Sequence, residues 1–122
     1  MAYGDTPTDR ELEILKILWD RGDSTVRDVY DIMRVRENIA QNTVQTFLRL
    51  MEEKQLVRHA VRGRAFVYQP LYTRQRILSR FVSSIFDGAV GELVLQALRL
   101  KKLSGREIEE IEAMIRHSRR AG

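Results

Sequence analysis

Apolar side chains return every three or four residues along this chain in a series of short blocks, and the blocks give way once to alternating stretches. The first block, Leu12, Leu15, Leu18 and Trp19, has helical spacing. Thr8 and Glu11 precede it at the spacing of a capping box, and Gly22 stands where a helix stops, so a helix is expected to about Arg21 with Trp19 packed in the core. A second, shorter stripe of Val26, Val29, Tyr30 and Met33 predicts a helix capped by Asp23 or Ser24 and closing before about Val35. Asp28 and Asp31 fall off that stripe and are expected in solvent. A third stripe, Val44, Phe47, Leu48 and Met51, predicts a helix running to about Lys54, with Asn38 and Gln41 again at capping-box spacing ahead of it.

The period then changes. Leu56 to Val61 and Ala65 to Gln69 read as two strands, joined by a tight turn at Arg62, Gly63 and Arg64 in which the glycine supplies positive φ. Pro70 has no N–H to donate and is expected to end the pairing. Helical spacing resumes with Ile77, Leu78, Phe81, Val82, Ile85 and Phe86 after Thr73, and Asp87-Gly88 breaks that helix. Val90, Leu93, Val94, Ala97 and Leu98 form another stripe, and Ser104 with Glu107 opens a last helix carrying Ile108, Ile111, Met114 and Ile115.

Three helices followed by a β-hairpin is the order of a winged helix-turn-helix. The expected fold class is therefore mainly α (α+β), with a winged-helix domain over residues 1–72 and a helical domain over 73–122. Three short helices enclose too little interior to bury such wide stripes alone, so a partner subunit is expected to cover them.

Length and composition narrow the function. The 122 residues suit one domain or a domain with an appendage, and 43% apolar with 31% charged residues is a globular balance. There is no cysteine, which excludes disulfides, zinc ribbons and thiol chemistry. No export signal or membrane-length apolar run is apparent, so a cytoplasmic protein without membrane insertion is expected. The net charge of +4 says little until it is mapped. Residues 1–70 hold eleven basic and eleven acidic side chains, yet no Asp or Glu occurs from Lys54 to Phe86, a window with Lys54, Arg58, Arg62, Arg64, Arg74, Arg76 and Arg80. A one-signed stretch in a balanced protein suits a polyanion.

The third helix carries the candidate chemistry. Opposite its apolar face lie Asn42, Gln45, Thr46 and Arg49: amides, a hydroxyl and one arginine, where most solvated helix faces carry Glu and Lys. In the major groove, Asn and Gln can form paired hydrogen bonds with adenine and Arg with guanine, while the Thr46 methyl or hydroxyl suits a thymine methyl or a phosphate. Thr43 flanks the helix start, where the dipole and open N–H groups favour phosphate. Arg62 and Arg64 at the hairpin tip can reach the backbone or a minor groove. The expected partner is double-stranded DNA.

Glu13 to Trp19 (EILKILW), Asn42 to Val57 (NTVQTFLRLMEEKQLV), Gly63 to Pro70 (GRAFVYQP) and Gly91 to Ile115 together resemble the penicillinase-repressor family, the BlaI/MecI type, over about residues 7–116. The resemblance implies a homodimeric repressor on a pseudo-palindromic operator, with Thr43, Gln45 and Thr46 on the recognition helix and Arg62 to Arg64 on the wing. It implies a dimer interface drawn from the stretch containing Phe81, Ile85, Leu93, Val94, Leu95 and Leu98, and a pathway through a membrane sensor-protease. Three positions depart from the family. Its usual lysine-glycine turn reads Lys54-Gln55, so Gln55 is expected in a left-handed conformation. Its Arg-Leu pair reads Leu50-Met51, with Arg49 one position earlier, and its Asn-Phe cleavage bond reads Gln96-Ala97, so cleavage is not carried over.

An enzyme is the weaker reading. His59 and His117 fall on different predicted elements, and no phosphate loop, nucleophile elbow or ligand spacing is present. Glu107, Glu109, Glu110 and Glu112 sit among Lys and Arg as a solvated face. No catalytic residue, metal or cofactor is expected. The stronger alternative is a winged-helix module for protein–protein contact without DNA binding, although such modules tend to lose the basic wing that Arg62 and Arg64 provide.

Overall fold

The computed structural model describes residues 7–121, which form two compact units dividing between Ile77 and Leu78. Helix α1 (Asp9–Arg21) starts as its sequence dictates: the Thr8 hydroxyl accepts from the Glu11 N–H and the Glu11 carboxylate accepts from the Thr8 N–H. Gly22, at φ 92°, ends it by donating its N–H to the Leu18 carbonyl at 2.8 Å. The face α1 buries is Ile14, Leu15 and Leu18. Trp19 packs half-buried against the core and donates its indole N–H to the Tyr72 carbonyl at 2.9 Å.

The connection to the second helix differs from expectation. Ser24–Thr25 form a two-residue strand, β1, and Thr25 rather than Asp23 or Ser24 caps helix α2 (Val26–Met33). Thr25 and Asp28 exchange a reciprocal pair of hydrogen bonds at 3.0 and 3.1 Å. Asp28 is thus a capping residue that also pairs with Arg21 at 3.1 Å, and Asp31 is held between Arg27 and Arg34 at 3.2 and 3.4 Å. Neither acid is simply solvated.

Helix α3 (Gln41–Glu53) begins two residues later than the Asn38 signal implied. Ala40 occupies the cap position and no side chain caps it. Val44, Leu48 and Met51 are fully buried, with Phe47 packed at the margin. Past the helix, Gln55 adopts φ 63°, as the missing glycine required.

Strands β2 (Val57–Arg62) and β3 (Ala65–Pro70) pair antiparallel with Arg62 opposite Ala65, leaving Gly63-Arg64 as the turn and Gly63 at φ 64°. Pro70 does not end the pairing early; it is the last paired residue, opposite Val57. The strand order is β1-β3-β2, with Ser24 opposite Tyr68. Two residues are too few for alternation to register, so β1 escaped the sequence reading. The three helices and the sheet close over Leu56, Val57, Tyr68 and Tyr72.

Helix α4 (Arg74–Ile85) carries the chain into the second unit, and Ile77 in its first turn still packs on the first core. Asp87 and Gly88, at φ 50° and 83°, separate it from α5 (Val90–Leu100). Ser104 and Glu107 form the expected reciprocal cap at the start of α6 (Gly105–Ala121). No single helix among the described residues is long and apolar enough to cross a membrane.

Candidate nucleic-acid interface

The start of α3 is the most open helix end in the first unit. There α1 and α2 close their leading N–H groups with capping boxes, whereas α3 has none. Its positive end is thereby left to an external acceptor. Asn42, Thr43, Gln45, Thr46 and Arg49 are all exposed, because the buried Val44–Leu48–Met51 stripe turns them outward. The Thr46 hydroxyl donates to the Asn42 carbonyl at 3.0 Å, so its methyl is the free group.

Four of these five residues fall on two concave surfaces. A trench of about 440 Å³ is lined by Gln41 and Gln45 of α3, Thr25, Val26 and Arg27 at the head of α2, and Arg64, Ala65, Phe66 and Tyr68 of the wing. It brings Gln45 and Arg64, nineteen positions apart in sequence, onto one site. Asn42, Thr43 and Thr46 line a second hollow of about 270 Å³ with Phe47 and Leu50. Arg49 is exposed and lines neither. Arg27 and Phe66 were missed in the sequence because each sits on a different element from the amide-rich face. Arg27 reaches the α3 start through Gln41, donating to its side-chain oxygen at 3.4 Å, while Phe66 remains half exposed on the wing.

The basic window is less free than its sequence suggests. Lys54 pairs with Glu11 at 2.9 Å, Arg74 with Asp20 at 3.0 Å, and Arg62 leans on Asp23 at 3.5 Å. Asp23 also accepts from Gln69 at 2.7 Å, and Gln69 accepts from Arg58 at 2.8 Å. Arg76 lies over the Tyr72 ring. Acids remote in sequence thus neutralise part of the stretch. Arg64 at the hairpin tip has no ion pair or hydrogen bond from its side chain among the described residues, so the two wing arginines are not equivalent.

Electrostatics also fasten the far end of α3. Glu11 is 3% exposed and accepts from Lys54 at 2.9 and 3.1 Å. Burial pushes its carboxyl up, but the Thr8 N–H and the Lys54 ammonium outweigh this and hold it below the ordinary range. The Thr25 N–H, against a smaller effect of burial, likewise lowers Asp28, with Arg21 adding to it. The candidate dimer residues are on the second unit: Phe81, Ile85, Val94, Leu95 and Leu98 are exposed and Leu93 is half-buried. Among the described residues no group of three or more His, Asp or Glu is placed to hold a metal.

A three-stranded sheet with a two-residue turn, behind a helix whose polar face looks outward, defines a winged helix-turn-helix protein. Residues 7–117 match the family described as penicillinase repressor, and the chain belongs to that family. It is 28% identical over 108 residues to the penicillinase repressor of Bacillus licheniformis, covering 85% of this chain and 84% of that one. Identity to the methicillin resistance regulatory protein MecI of Staphylococcus aureus is 20% over 109 residues, covering 86% of this chain and 89% of the relative. Among solved structures, the solution structure of monomeric B. licheniformis BlaI in complex with the blaP half-operator aligns over 58% of this chain and 87% of that one, with TM-score 0.51 and 27% identity. A MarR family protein from Bacillus stearothermophilus aligns over 94% of this chain and 74% of its own, with TM-score 0.51 and 21% identity, a likeness of fold.

Proposed function

We propose that this protein is a sequence-specific DNA-binding transcriptional repressor that works as a homodimer on a two-fold operator, without catalysis. The observation that carries the reading is the trench in which Gln45 of the uncapped α3 and the unpaired Arg64 of the wing share one surface. A DNA strand lying there meets N–H groups and Gln45 on one wall and a guanidinium on the other. Asn42, Gln45 and Arg49 read base edges, the Thr46 methyl packs against thymine, and Thr43, Arg62 and Arg64 hold phosphate. The likeness to BlaI, whose structure was solved with its half-operator, supports this assignment. Residues 1–72 carry the DNA contact, and residues 73–122 supply the dimer through Phe81, Ile85, Leu93, Val94, Leu95 and Leu98. Two copies then present two α3 helices to two half-sites. We further place the repressor inside the cell and, as the family resemblance implies, downstream of a membrane sensor-protease.

Selection of bound duplexes from a random pool tests the reading. A two-fold motif is expected, with affinity falling steeply as salt rises. Gln45→Ala should change preference at one base pair per half-site by about 1–3 kcal/mol. Recovery of no motif, or binding indifferent to salt, would point instead to a protein-contact module.

A further inference from the structure

The trench exists only while the hairpin stands at a fixed angle to α3, and one side-chain relay joins the two. Glu52, near the end of α3, accepts from the His59 N–H of β2 at 3.1 Å, and both its oxygens lie 2.7 Å from His59 Nδ1. The imidazole in turn stacks on Phe66 of β3, with centroids 4.2 Å apart and planes 19° apart. Phe66 lines the trench beside Arg64. The pair is half-buried, at 33% exposure for the Glu52 side chain and 31% for His59, so solvent competes with it only in part. Neither residue lines the trench itself.

We infer that Glu52 and His59 are positioning residues for DNA binding: they lock the wing to the recognition helix so that Arg64 is held across the trench from Gln45. Touching no DNA themselves, they act on affinity through Arg64. The inference rests on the repressor reading and deepens it. A hairpin released from α3 pivots about its base, where β2 follows α3, and the arginine at its tip then spends less time at the phosphate.

A double-mutant cycle tests this with the full-length chain and one fluorescein-labelled duplex selected by the wild type from a random pool. His59→Phe keeps the stack on Phe66 but removes the ring nitrogen; Glu52→Ala removes the other half of the pair. Each should weaken binding roughly 5- to 10-fold and flatten the salt dependence as Arg64→Ala does. Combined with Arg64→Ala, neither should weaken binding further. Unchanged affinity in both variants, or losses that multiply with that of Arg64→Ala at an unchanged salt slope, would overturn the inference and leave the pair a mere fold contact. Should Glu52→Ala fail to fold by circular dichroism, His59→Phe decides alone. A wild type that selects no duplex overturns the repressor reading and this one with it, whereas the variants, with a duplex in hand, judge only the relay.

Discussion

The two units of this chain carry similar apolar stripes and use them differently. In the first, Ile14, Leu15 and Leu18 of α1 meet Val29 and Met33 of α2, Val44, Leu48 and Met51 of α3, and Tyr68 of the sheet, all buried by the chain itself. In the second, Val82 is the one buried residue among those described, and α5 buries none of its side chains. Leu95 and Leu98 remain 51% and 43% exposed. A stripe at a period of 3.6 therefore records that a face avoids water, not whose surface covers it. The first unit has the core of an independent domain; the second leaves most of its apolar faces open.

Truncating a core residue should separate the units most strongly. Leu48 is fully buried on α3, so Leu48→Ala should cost about 2–5 kcal/mol of stability, since the helix and sheet around it cannot collapse fully into the space. Thermal unfolding measures it. The same truncation at Leu98 should leave the first unit's transition in place. A charge at that position acts otherwise: Phe81→Glu or Leu98→Glu should weaken self-association by about 2–3 kcal/mol, because a carboxylate would lose water in the proposed interface. Sedimentation at micromolar concentration should then find monomers with a first unit that melts normally; a persisting dimer would move the interface elsewhere.

Acid should act on the first unit through its fastened carboxylates. Glu11 and Asp28 are held below their ordinary values, so their contribution is complete above about pH 4–4.5, the unfolded range, and is lost as pH falls through the lowered folded values. Glu11→Gln keeps an acceptor for the Thr8 N–H but gives up the charge facing Lys54, an expected loss of about 1–2 kcal/mol at neutral pH. Its melting temperature should also fall less steeply than the wild type's between neutral pH and pH 3. Parallel curves for the two proteins would remove Glu11 from the acid response.

What could be read from the chain beforehand was whatever repeats locally. The six helices, the hairpin and its Gly63 turn followed from spacing and turn chemistry, and the outward face of α3 followed from the inward one. Contacts that join distant residues were invisible. The strand Ser24–Thr25 exists because β3 offers an edge, and Thr25 caps α2 because that strand delivers it there. Asn38 looked like a cap for α3, yet the helix starts after Ala40 with no side chain on its leading N–H groups, which is where the candidate site lies. The basic window overstated the free charge because Glu11, Asp20 and Asp23 return to it only in the fold. The relay from Glu52 through His59 to Phe66 likewise needs three elements at once.

Gln55 is the exception, a strained position legible in advance, and it supports the smallest prediction. The chain must reverse after α3 to begin β2, and it does so at φ 63° on a residue with a Cβ. The Leu56 N–H then closes the helix end on the Met51 carbonyl at 2.9 Å and the Gln55 N–H bonds to the Glu52 carbonyl at 3.0 Å, so the turn is made in spite of the strain. Glycine removes the clash of Cβ with the carbonyl but adds freedom to the unfolded chain, and the two effects oppose each other. Strain is the larger at a left-handed position, so Gln55→Gly should stabilise the first unit by about 0.5–1 kcal/mol, visible as a small rise in its melting temperature. The second unit gains nothing from it. A fall in stability would mean that the glutamine side chain, not the turn, secures this corner, and would weaken the view that the first unit's stability comes from its own backbone and core.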